Sequence, residues 1–512
     1  MRIGIDVGGT NTDAVLLDGV RVLAAVKTGT TPDVTSGIVA AIEGLQRGHA
    51  FDPAAVGAVM IGTTHFINAL VEADRLAPTA AVRLSLPAGS SLPPMVDWPR
   101  RLVDAIGGRG YLVHGGHEFD GRHIAELDEA ELRKAADDMG RAGVRSVAIT
   151  AVFSPVNAEF EARAAEVIAR ELPDVAISLS HEVGRIGLLE RENATIVNAA
   201  LRELAAGIVD GLAVSVAGAG ITAPLYLSQN DGTLMDVDFA RRYPVATFAS
   251  GPTNSMRGAA VLSGVDTCAV VDVGGTTSDI GVLNQGFPRE ATTDVSVAGI
   301  RTNFRMPDVL SLGVGGGSLV RDGEVGPESV GYRLTSRALV FGGDTLTATD
   351  VAVAAGRAEV GDPALVRHLD AGLVRRALES IAERTADAVE RMRTSAEPLP
   401  VVAVGGGSIL LPDELAGIGP VRRPENHAVA NAIGAAIAQV GGEVDRVYAI
   451  EPGRRDAVVD EAKQEAVDRA VAAGASPSSV AVVDFDEVPI PYLPGNATRI
   501  RVKAVGDLQT GS

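Results

Sequence analysis

The feature that most constrains the fold is a short pattern that occurs twice. Residues 3–17 read IGIDVGGTNTDAVLL, in which an apolar run ends at Asp6, two glycines follow, and a second apolar run begins after Asp13. Residues 269–283 read AVVDVGGTTSDIGVL and repeat the pattern DVGGTxxD. Each copy predicts a β-hairpin with a glycine-tight turn. The repeat therefore predicts two related halves that hold a nucleotide in the cleft between them.

Both turns have the chemistry of a phosphate-binding loop. Backbone N–H groups in such a turn can point together at phosphate oxygens, because glycine has no side chain to block their approach. The candidate phosphate contacts are Gly8, Gly9, Thr10, Asn11 and Thr12, and Gly274, Gly275, Thr276 and Thr277. The aspartates Asp6, Asp13, Asp272 and Asp279 are candidate catalytic groups, and Asp6 and Asp272 are candidate ligands of a phosphate-bound Mg²⁺.

Two further glycine runs indicate close backbone contacts. GVGGGS at 313–318 predicts a tight approach, through Gly315 and Gly316, to the nucleotide or to the facing domain. VVAVGGGS at 401–408 is a buried strand that leads into Gly405, Gly406 and Gly407. A turn without side chains would let a purine lie against the backbone.

Polar side chains cluster where strands end, which is where open α/β sheets present ligands. The candidate substrate contacts are Thr64, Asn68, Asn230 and Asn254, and the candidate catalytic residues are His65 and Asp231. His65 has two interpretations, an acid–base or substrate contact and a structural cap of the corner. The segment 114–124, HGGHEFDGRHI, suggests a metal site, but its spacing matches no strong signature, so a polar turn is favoured.

Composition limits the partners and the compartment. The formal net charge of −20 argues against nucleic acid or an acidic membrane as a partner. The single cysteine, Cys268, excludes a disulfide within the chain and favours a reducing compartment. Without a signal-like start or an apolar run of about 18 residues, we expect a cytoplasmic enzyme.

The chain divides into three predicted parts. Alternating strands and helices up to residue 178 predict a parallel α/β sheet region with the first hairpin. Residues 179–442 hold the second hairpin and the Gly405–Gly407 turn, and residues 443–512 are expected to form a small cap.

Together these motifs resemble the hydantoinase/oxoprolinase family of the actin, hexokinase and heat-shock ATPase superfamily. The similar segments, which run over nearly the whole chain, are IGIDVGGTNTDAVLL, GTTHFINALVE, SHEVGRIGLLERENATIVNAAL, SGPTNSMRGAA, DVGGTTSD, LGVGGGS and LTATD. The resemblance implies an α/β fold of duplicated actin-like, ribonuclease-H-like ATPase domains with an interdomain nucleotide cleft.

The implied activity is ATP-dependent opening of a cyclic amide such as a hydantoin, 5-oxoproline or a lactam. By resemblance, ATP with Mg²⁺ phosphorylates the carbonyl oxygen, so that water can attack the carbon. For a chain shorter than other members, the resemblance leaves two alternatives, a second subunit for the hydrolytic half of the reaction or a different carbonyl substrate. We also expect a homo-oligomer.

Departures from the family leave alternatives open. Ser311 stands where many members have a histidine, although Asp308 is retained, and the chain is shorter than members with an additional C-terminal domain. A small-molecule kinase of the same superfamily would need an aspartate base, for which Asp231 is the candidate. A non-enzymatic ATP-driven switch is the third alternative.

Overall fold

The computed structural model describes residues 1–9, 11–29, 34–291, 295–491 and 496–509. The predicted phosphate contact Thr10 lies outside these residues. The strands, in chain order, are β1 (Arg2–Val7), β2 (Asn11–Asp18), β3 (Arg21–Gly29), β4 (Ala58–Thr63), β5 (Thr79–Leu86), β6 (Arg109–His114), β7 (Ser146–Ala151), β8 (Ala176–Leu179), β9 (Leu225–Ser228), β10 (Thr233–Asp236), β11 (Cys268–Val273), β12 (Ser278–Asn284), β13 (Phe287–Pro288), β14 (Val295–Val297), β15 (Ile300–Thr302), β16 (Val309–Leu312), β17 (Ser318–Arg321), β18 (Glu324–Ser329), β19 (Val401–Val404), β20 (Glu414–Leu415), β21 (Gly419–Arg422), β22 (Gln439–Ala449), β23 (Ala481–Pro489) and β24 (Ala497–Gly506).

Helices pack on both main sheets and between them. In chain order they are α1 (Val34–Gly48), α2 (His65–Glu72), α3 (Arg100–Ile106), α4 (Glu129–Arg141), α5 (Glu159–Glu171), α6 (Ser180–Val183), α7 (Leu188–Gly218), α8 (Val237–Arg242), α9 (Ser250–Ser263), α10 (Leu334–Arg337), α11 (Ala348–Ala354), α12 (Ala371–Met392), α13 (Ala430–Ile437) and α14 (Arg455–Ala472). None of the described helices is long and apolar enough to cross a membrane.

Two sheets share the same core arrangement. In the nine-stranded sheet, ordered β23-β24-β22-β10-β9-β4-β1-β2-β3, strand β1 pairs antiparallel with β2 and parallel with β4. In the sheet that contains β13-β12-β11-β19-β21-β20, strand β11 pairs antiparallel with β12 and parallel with β19. The predicted duplication is thus confirmed at the level of strand pairing. A separate four-stranded parallel sheet, β6-β5-β7-β8, follows α2 in the chain.

The two predicted hairpins have the same register. Asp6 lies opposite Asp13 across β1 and β2, and Asp272 lies opposite Asp279 across β11 and β12. Gly8 N donates a hydrogen bond to Asn11 O at 3.0 Å, and Gly274 N donates to Thr277 O at 2.9 Å. Because apolar side chains bury both strands of each hairpin, the turns are held at fixed points of the two sheets.

The C-terminal residues extend the first sheet. β22 pairs parallel with β10 and antiparallel with β24, and β23 pairs with the other side of β24. The predicted 443–512 segment is therefore continuous with the nine-stranded sheet, and α14 packs its alanines against these strands.

Helices α9 and α13 meet between the two halves at glycines. A Cβ atom at Gly258 would lie 1.9 Å from Ala430 O, and one at Gly434 would lie 1.8 Å from Asn254 O. Gly4 of β1 is similarly close to α13, since its Cβ would lie 2.2 Å from Ala432 O. The absence of side chains at these positions lets the two helices and the first hairpin touch through their backbones.

Candidate active site

Asp6 is a buried carboxylate that depends on amide donors. Asn254 Nδ2 donates to Asp6 Oδ1 at 3.1 Å, and Asn431 Nδ2 donates to Asp6 Oδ2 at 3.0 Å. Burial raises the pKa of Asp6 to about 6, although the hydrogen bond from Asn254 opposes the shift. A Cβ at Gly62 would lie 2.3 Å from Asp6 Oδ1, so the neighbouring strand β4 needs a glycine at this position.

Asp13 forms the other half of the first aspartate pair. Lys27 Nζ lies 2.6 Å from Asp13 Oδ1, and Asn431 Nδ2 donates to Asp13 Oδ2 at 2.8 Å. The same amide therefore holds Asp6 and Asp13 together, and the lysine partly neutralises their charge.

Asp272 and Asp279 repeat this pair with different partners. The Ser255 hydroxyl donates to Asp272, and Ser311 Oγ donates to Asp279 Oδ1 at 2.5 Å. Burial, reinforced by the negative charges of Asp279 and Asp6, raises the pKa of Asp272 to about 7. Burial also raises the pKa of Asp279. In the part of the chain that the structure describes, neither carboxylate forms a salt bridge with lysine or arginine.

One helix connects the two pairs. Asn254 and Ser255 are consecutive residues of α9, and they bind Asp6 and Asp272 respectively. The charge of Asp6 is close enough to raise the pKa of Asp272. Two neighbouring carboxylates, one buried and one half-buried, favour a bound proton or a cation.

The turns leave open backbone beside these carboxylates. Gly9 is exposed, with open space where a Cβ would stand, and Thr276 and Thr277 are exposed. Thr12, in contrast, is fully buried, which makes it a support for the turn. Gly406 is also exposed and open.

Gly405 and Gly407 pack on the second hairpin. The Cβ of a residue at 405 would lie 2.4 Å from Asp272 Oδ1, and one at 407 would lie 2.8 Å from Gly274 O. Gly405 also has a φ of +81°. This turn therefore stands beside Asp272 as Gly62 stands beside Asp6, and it leaves Gly406 facing outward.

The GVGGGS run approaches the second hairpin itself. Gly316 N donates to Gly274 O at 3.0 Å, and a Cβ at Gly315 would lie 2.6 Å from Thr276 N. The described contacts of this run are therefore with the hairpin of its own half, whereas the sequence predicted the nucleotide or the facing domain as its partner. Gly315 and Gly316 are buried and support the turn from behind.

Thr64, His65 and Asn68 lie at the end of β4, next to the first hairpin. Thr64 N and Thr64 Oγ1 both donate to Val7 O, at 3.3 and 3.4 Å, and Asn68 Nδ2 donates to Thr64 Oγ1 at 3.4 Å. His65 Nδ1 is 2.7 Å from Thr63 Oγ1, and burial lowers the pKa of His65. At neutral pH His65 is therefore a neutral imidazole, which suits a base or an acceptor better than an acid.

Asn230 does not present its amide to a ligand, which corrects the predicted substrate contact. Its Nδ2 donates to Val245 O at 2.9 Å and Arg305 O at 3.0 Å, and its Oδ1 accepts from Ala249 N at 2.7 Å. Both amide donors are used, so Asn230 positions the segment that leads into α9.

Asp231 is unsuited to act as a base, which corrects the role expected for a kinase. Lys503 Nζ lies 2.8 Å from Asp231 Oδ2, and the Thr233 hydroxyl and backbone N–H donate to Oδ1. Although burial opposes it, the Lys503 ammonium holds the pKa of Asp231 well below its usual range. A carboxylate so stabilised has little affinity for a proton.

A cleft of about 1140 Å³ lies beside the first sheet. It is lined by the 229–236 segment, by β22 and by residues 154–158 and 181–186. His181 faces this cleft, and its Nδ1 is 2.6 Å from Glu161 Oε2, whose side chain is fully buried. Burial alone would lower the pKa of His181, but the hydrogen bond and charge of Glu161 raise it. His181 can therefore hold a proton at the cleft surface near neutral pH.

Sequence reasoning missed two of these residues. Asn431 and Lys27 were not identified, although they bind the aspartates of the first hairpin. Ser255 was indicated by the sequence, but only as part of a helix N-terminus suited to an anion or a substrate.

The comparisons with known proteins agree with the duplicated hairpins. The profile of the hydantoinase/oxoprolinase N-terminal region matches residues 2–172, and that of hydantoinase/oxoprolinase matches residues 191–397. The chain belongs to the hydantoinase/oxoprolinase family. The family resemblance expected from the motifs is thus confirmed, and it covers both hairpins and the corner that holds Thr64 and His65.

The chain is similar in sequence to two enzyme subunits of known name. The chain is 30% identical over 385 residues to caprolactamase subunit alpha from Pseudomonas jessenii, which covers 69% of this chain and 54% of the relative. It is 26% identical over 402 residues to the acetophenone carboxylase gamma subunit from Aromatoleum aromaticum, which covers 69% and 53% respectively. The chain spans about half the length of these curated relatives.

Solved structures confirm the actin-like α/β fold expected of the hydantoinase/oxoprolinase family. The crystal structure of ATP-dependent caprolactamase from Pseudomonas jessenii superposes with a TM-score of 0.80 at 21% identity, covering 99% of this chain and 88% of that chain. The nucleotide-free structure of acetone carboxylase gives a TM-score of 0.69 at 17% identity, covering 100% and 88%.

Proposed function

We propose that this chain is the ATP-using component of an enzyme that phosphorylates a carbonyl oxygen, with a cyclic amide as substrate. The observation that supports this best is the paired arrangement of Asp6 and Asp272. Asp6 is buried and Asp272 is half-buried, both have a raised pKa, and they are held by consecutive residues of α9. Two such carboxylates between two glycine turns suit a polyphosphate and its cation.

The residues present fit Mg²⁺ with a nucleotide. Asn254 Oδ1, next to the two carboxylates, is buried and has no hydrogen-bond partner in the described part of the chain, so it is an oxygen that could serve the site. Asp6 and Asp272 would hold Mg²⁺, directly or through water, and the ion would supply positive charge that offsets the phosphate charge. The cation would also favour the ionised form of both carboxylates, which burial opposes.

The turns would position the nucleotide. Backbone N–H groups of the two hairpin turns would bind phosphate oxygens, with Gly9 and Thr276 at the open edge. Adenosine would lie on the turn at Gly405–Gly407, where Gly406 offers open backbone. Thr10 would belong to the same phosphate-binding turn.

The substrate would bind at the end of β4. Thr64 and Asn68 lie beside the first hairpin, so a carbonyl oxygen held there would be near the terminal phosphate. In the proposed reaction this oxygen forms a bond to the terminal phosphorus while the bond between the β and γ phosphates breaks, which releases ADP. Water then adds to the activated carbon, the carbon–nitrogen bond breaks, and the nitrogen takes up a proton, so that the ring opens to an acyl phosphate. A second water hydrolyses this acyl phosphate to a carboxylate and free phosphate. His65, as a neutral imidazole, is placed to accept a proton.

A second candidate function is the activation of a ketone for carboxylation. Two relatives favour it, the acetophenone carboxylase gamma subunit and the acetone carboxylase beta subunit from Xanthobacter autotrophicus. Phosphorylation of a carbonyl oxygen is a chemically reasonable first step for both reactions. A sugar-type kinase is less well supported, because Asp231 is bound to Lys503.

A partner subunit is part of the proposal. Three of the relatives are themselves named as subunits, and this chain spans about half of the length of the first of them. We propose that the second chain completes the hydrolytic or carboxylating step.

The test is ADP release by the purified chain with Mg²⁺, with and without candidate substrates. The set is hydantoins, 5-oxoproline and lactams, then ketones with bicarbonate, then sugars. Stimulation by a cyclic amide would support the first proposal, and stimulation by a ketone would support the second. Stimulation by sugars would refute both. Nucleotide binding without stimulation would direct the search to a partner subunit, and failure to bind nucleotide would refute the proposal.

A matched pair of variants separates the kinase alternative. Asp231→Asn should leave substrate-stimulated ADP release within about threefold of wild type, because Asp231 is not the base. Its stability should fall by about 3 kcal/mol, because Lys503 is left buried and unpaired. The double variant Asp231→Asn with Lys503→Met should recover much of that stability.

A further inference from the structure

The segment 114–124, where the sequence favoured a polar turn, contains an unusual buried histidine. His117 is fully buried, and neither of its ring nitrogens has a hydrogen-bond partner among the residues that the structure describes. Its ring lies on that of Phe160, with centroids 4.4 Å apart. A buried polar ring without partners is costly, since each unsatisfied nitrogen loses its hydrogen bond to water.

Two further metal-binding groups face this histidine. His123 and Glu159 each offer a ligand atom, and the three ligand atoms lie within 4.8 Å of one another. Ligands of one tetrahedral Zn²⁺ at about 2.0 Å lie about 3.4 Å apart. His123 and Glu159 are exposed, so small rotations of their side chains can close the difference.

The surroundings of His123 are those of a metal ligand. His123 Nδ1 is 2.8 Å from Glu126 Oε1, which leaves Nε2 as the nitrogen available for an ion. A carboxylate on the second nitrogen is the usual support of a zinc-bound histidine. Arg163 lies 3.8 Å from Glu159, but it also pairs with Glu129 at 3.4 Å, so Glu159 can leave it.

A neighbouring cluster provides the contrast. His114, Asp128 and Glu131 also lie close enough to hold an ion. Here His114 Nδ1 is 2.9 Å from Glu131 Oε1, and Asp128 accepts backbone N–H groups at the start of α4. His114 Nδ1, the Glu131 carboxylate and Asp128 Oδ1 are thus engaged in local hydrogen bonds, which account for this cluster without a metal ion.

We infer that His117, His123 and Glu159 form a binding site for a divalent transition metal, Zn²⁺ being the best match to two imidazoles and one carboxylate. The fourth position would be taken by water, as in zinc sites with three protein ligands. The site joins the 114–124 segment to the first turn of α5.

The proposed metal site lies directly behind residues that line the 1140 Å³ cleft. His117 N donates to Val152 O, and the residues that follow, Ser154–Ala158, line the 1140 Å³ cleft. Glu159 comes directly after that lining segment. A metal held here would fix one wall of the cleft from behind. It would not touch the hairpin aspartates.

The test is zinc binding by protein without a histidine tag, stripped of metal with a chelator. Calorimetry with Zn²⁺ should show one site. Co²⁺ should give the visible absorption of a tetrahedral ion. His123→Ala and Glu159→Gln should each weaken Zn²⁺ binding about tenfold or more. His114→Ala, in the neighbouring cluster, should bind as wild type does.

His117→Phe keeps an aromatic ring on Phe160 and removes both nitrogens. This variant should fold, lose Zn²⁺ binding, and no longer show the rise in melting temperature that Zn²⁺ gives the wild type. The inference is overturned if the wild type binds no Zn²⁺ at micromolar concentration. It is equally overturned if His123→Ala and Glu159→Gln bind as tightly as wild type.

Discussion

The two hairpins have the same backbone and different chemistry. Each places two aspartates opposite each other and closes its turn with a glycine N–H. Each also has a glycine from the neighbouring strand or the turn after it, Gly62 or Gly405, against one carboxylate. In the first hairpin, the aspartates share the Asn431 amide and a lysine. In the second, the side chains that donate to them among the described residues are the hydroxyls of Ser255 and Ser311.

This difference shows which features the two halves share and which have diverged. The shared features are those of the main chain, where a changed residue would collide with a carboxylate. The features that differ are the side chains that bind the aspartates, and these affect how easily each aspartate ionises. The pKa is about 6 for Asp6 and about 7 for Asp272. The second hairpin is therefore the half in which a bound cation would have the greater effect.

Removing Asp6 or Asp272 should have the largest effect on ATP turnover. Asp272→Ala and Asp6→Ala should each lower ATP turnover by at least about 100-fold, because each removes a proposed oxygen ligand of the cation. Asp272→Ala should show the larger loss, since Lys27 and Asn431 remain beside Asp13 in the other variant. Steady-state ADP release measures both.

The control for this pair is Asp18→Asn, an exposed aspartate at the end of β2. Its turnover should match wild type. Wild-type turnover in Asp272→Ala would exclude the proposed cation site.

Asn431→Ala should have the next largest effect, because it removes the amide that Asp6 and Asp13 of the first hairpin share. Asp6 and Asp13 would lose their shared donor and repel each other. We expect a loss of about 1–3 kcal/mol in the free energy of unfolding and about tenfold lower ATP turnover. The exposed Asn284→Ala on β12 is the matched control. Equal stability of the two variants would argue against the bridging role.

The raised pKa of Asp272 predicts a pH dependence of stability. The folded protein binds this proton up to about pH 7, whereas the unfolded chain releases it near 3.8. The free energy of unfolding should therefore fall as the pH rises from about 4 to about 7. Asp272→Asn removes this loss, so it should be more stable than wild type at pH 8, by about 1–4 kcal/mol.

Melting temperatures at pH 5 and pH 8 test this prediction in the absence of nucleotide. The advantage of Asp272→Asn should shrink as the pH falls, and Asp18→Asn should show no such trend. An advantage that is the same at both pH values would mean that Asp272 ionises normally.

Lys27→Met should have the smallest effect and should make the first hairpin resemble the second. The lysine is partly exposed, so its loss should cost no more than about 1 kcal/mol. Its charge lowers the pKa of Asp6, so the variant should lose more stability than wild type between pH 5 and pH 8. Melting curves at both pH values measure this. Identical pH profiles would show that Lys27 does not set the charge of the pair.

Local sequence predicted the hairpins well, because their causes are local. Glycine turns and apolar runs lie within 15 residues of each other, and the repeat identified both copies. The register that places Asp6 opposite Asp13 follows from the two-residue period of the strands.

The partners of the aspartates could not be predicted, because they come from far along the chain. Asn431 is 425 residues from Asp6, and Asn254 is 248 residues away. Nothing in the local pattern of Asp231 indicates Lys503, 272 residues later, which is why its basicity was overestimated. The C-terminal strands were identified, but their addition to the first sheet depends on pairing between distant segments.

The glycine contact between α9 and α13 makes two positions outside the site unusually sensitive. A methyl group at Gly258 or Gly434 would overlap a backbone oxygen of the other helix and force the helices apart. Asn254 and Asn431 belong to these helices, so their hydrogen bonds to Asp6 would be lost although no polar residue had been substituted. A screen for compensating mutations, started from Gly434→Ala, should therefore recover smaller residues along α9 rather than changes among the aspartates.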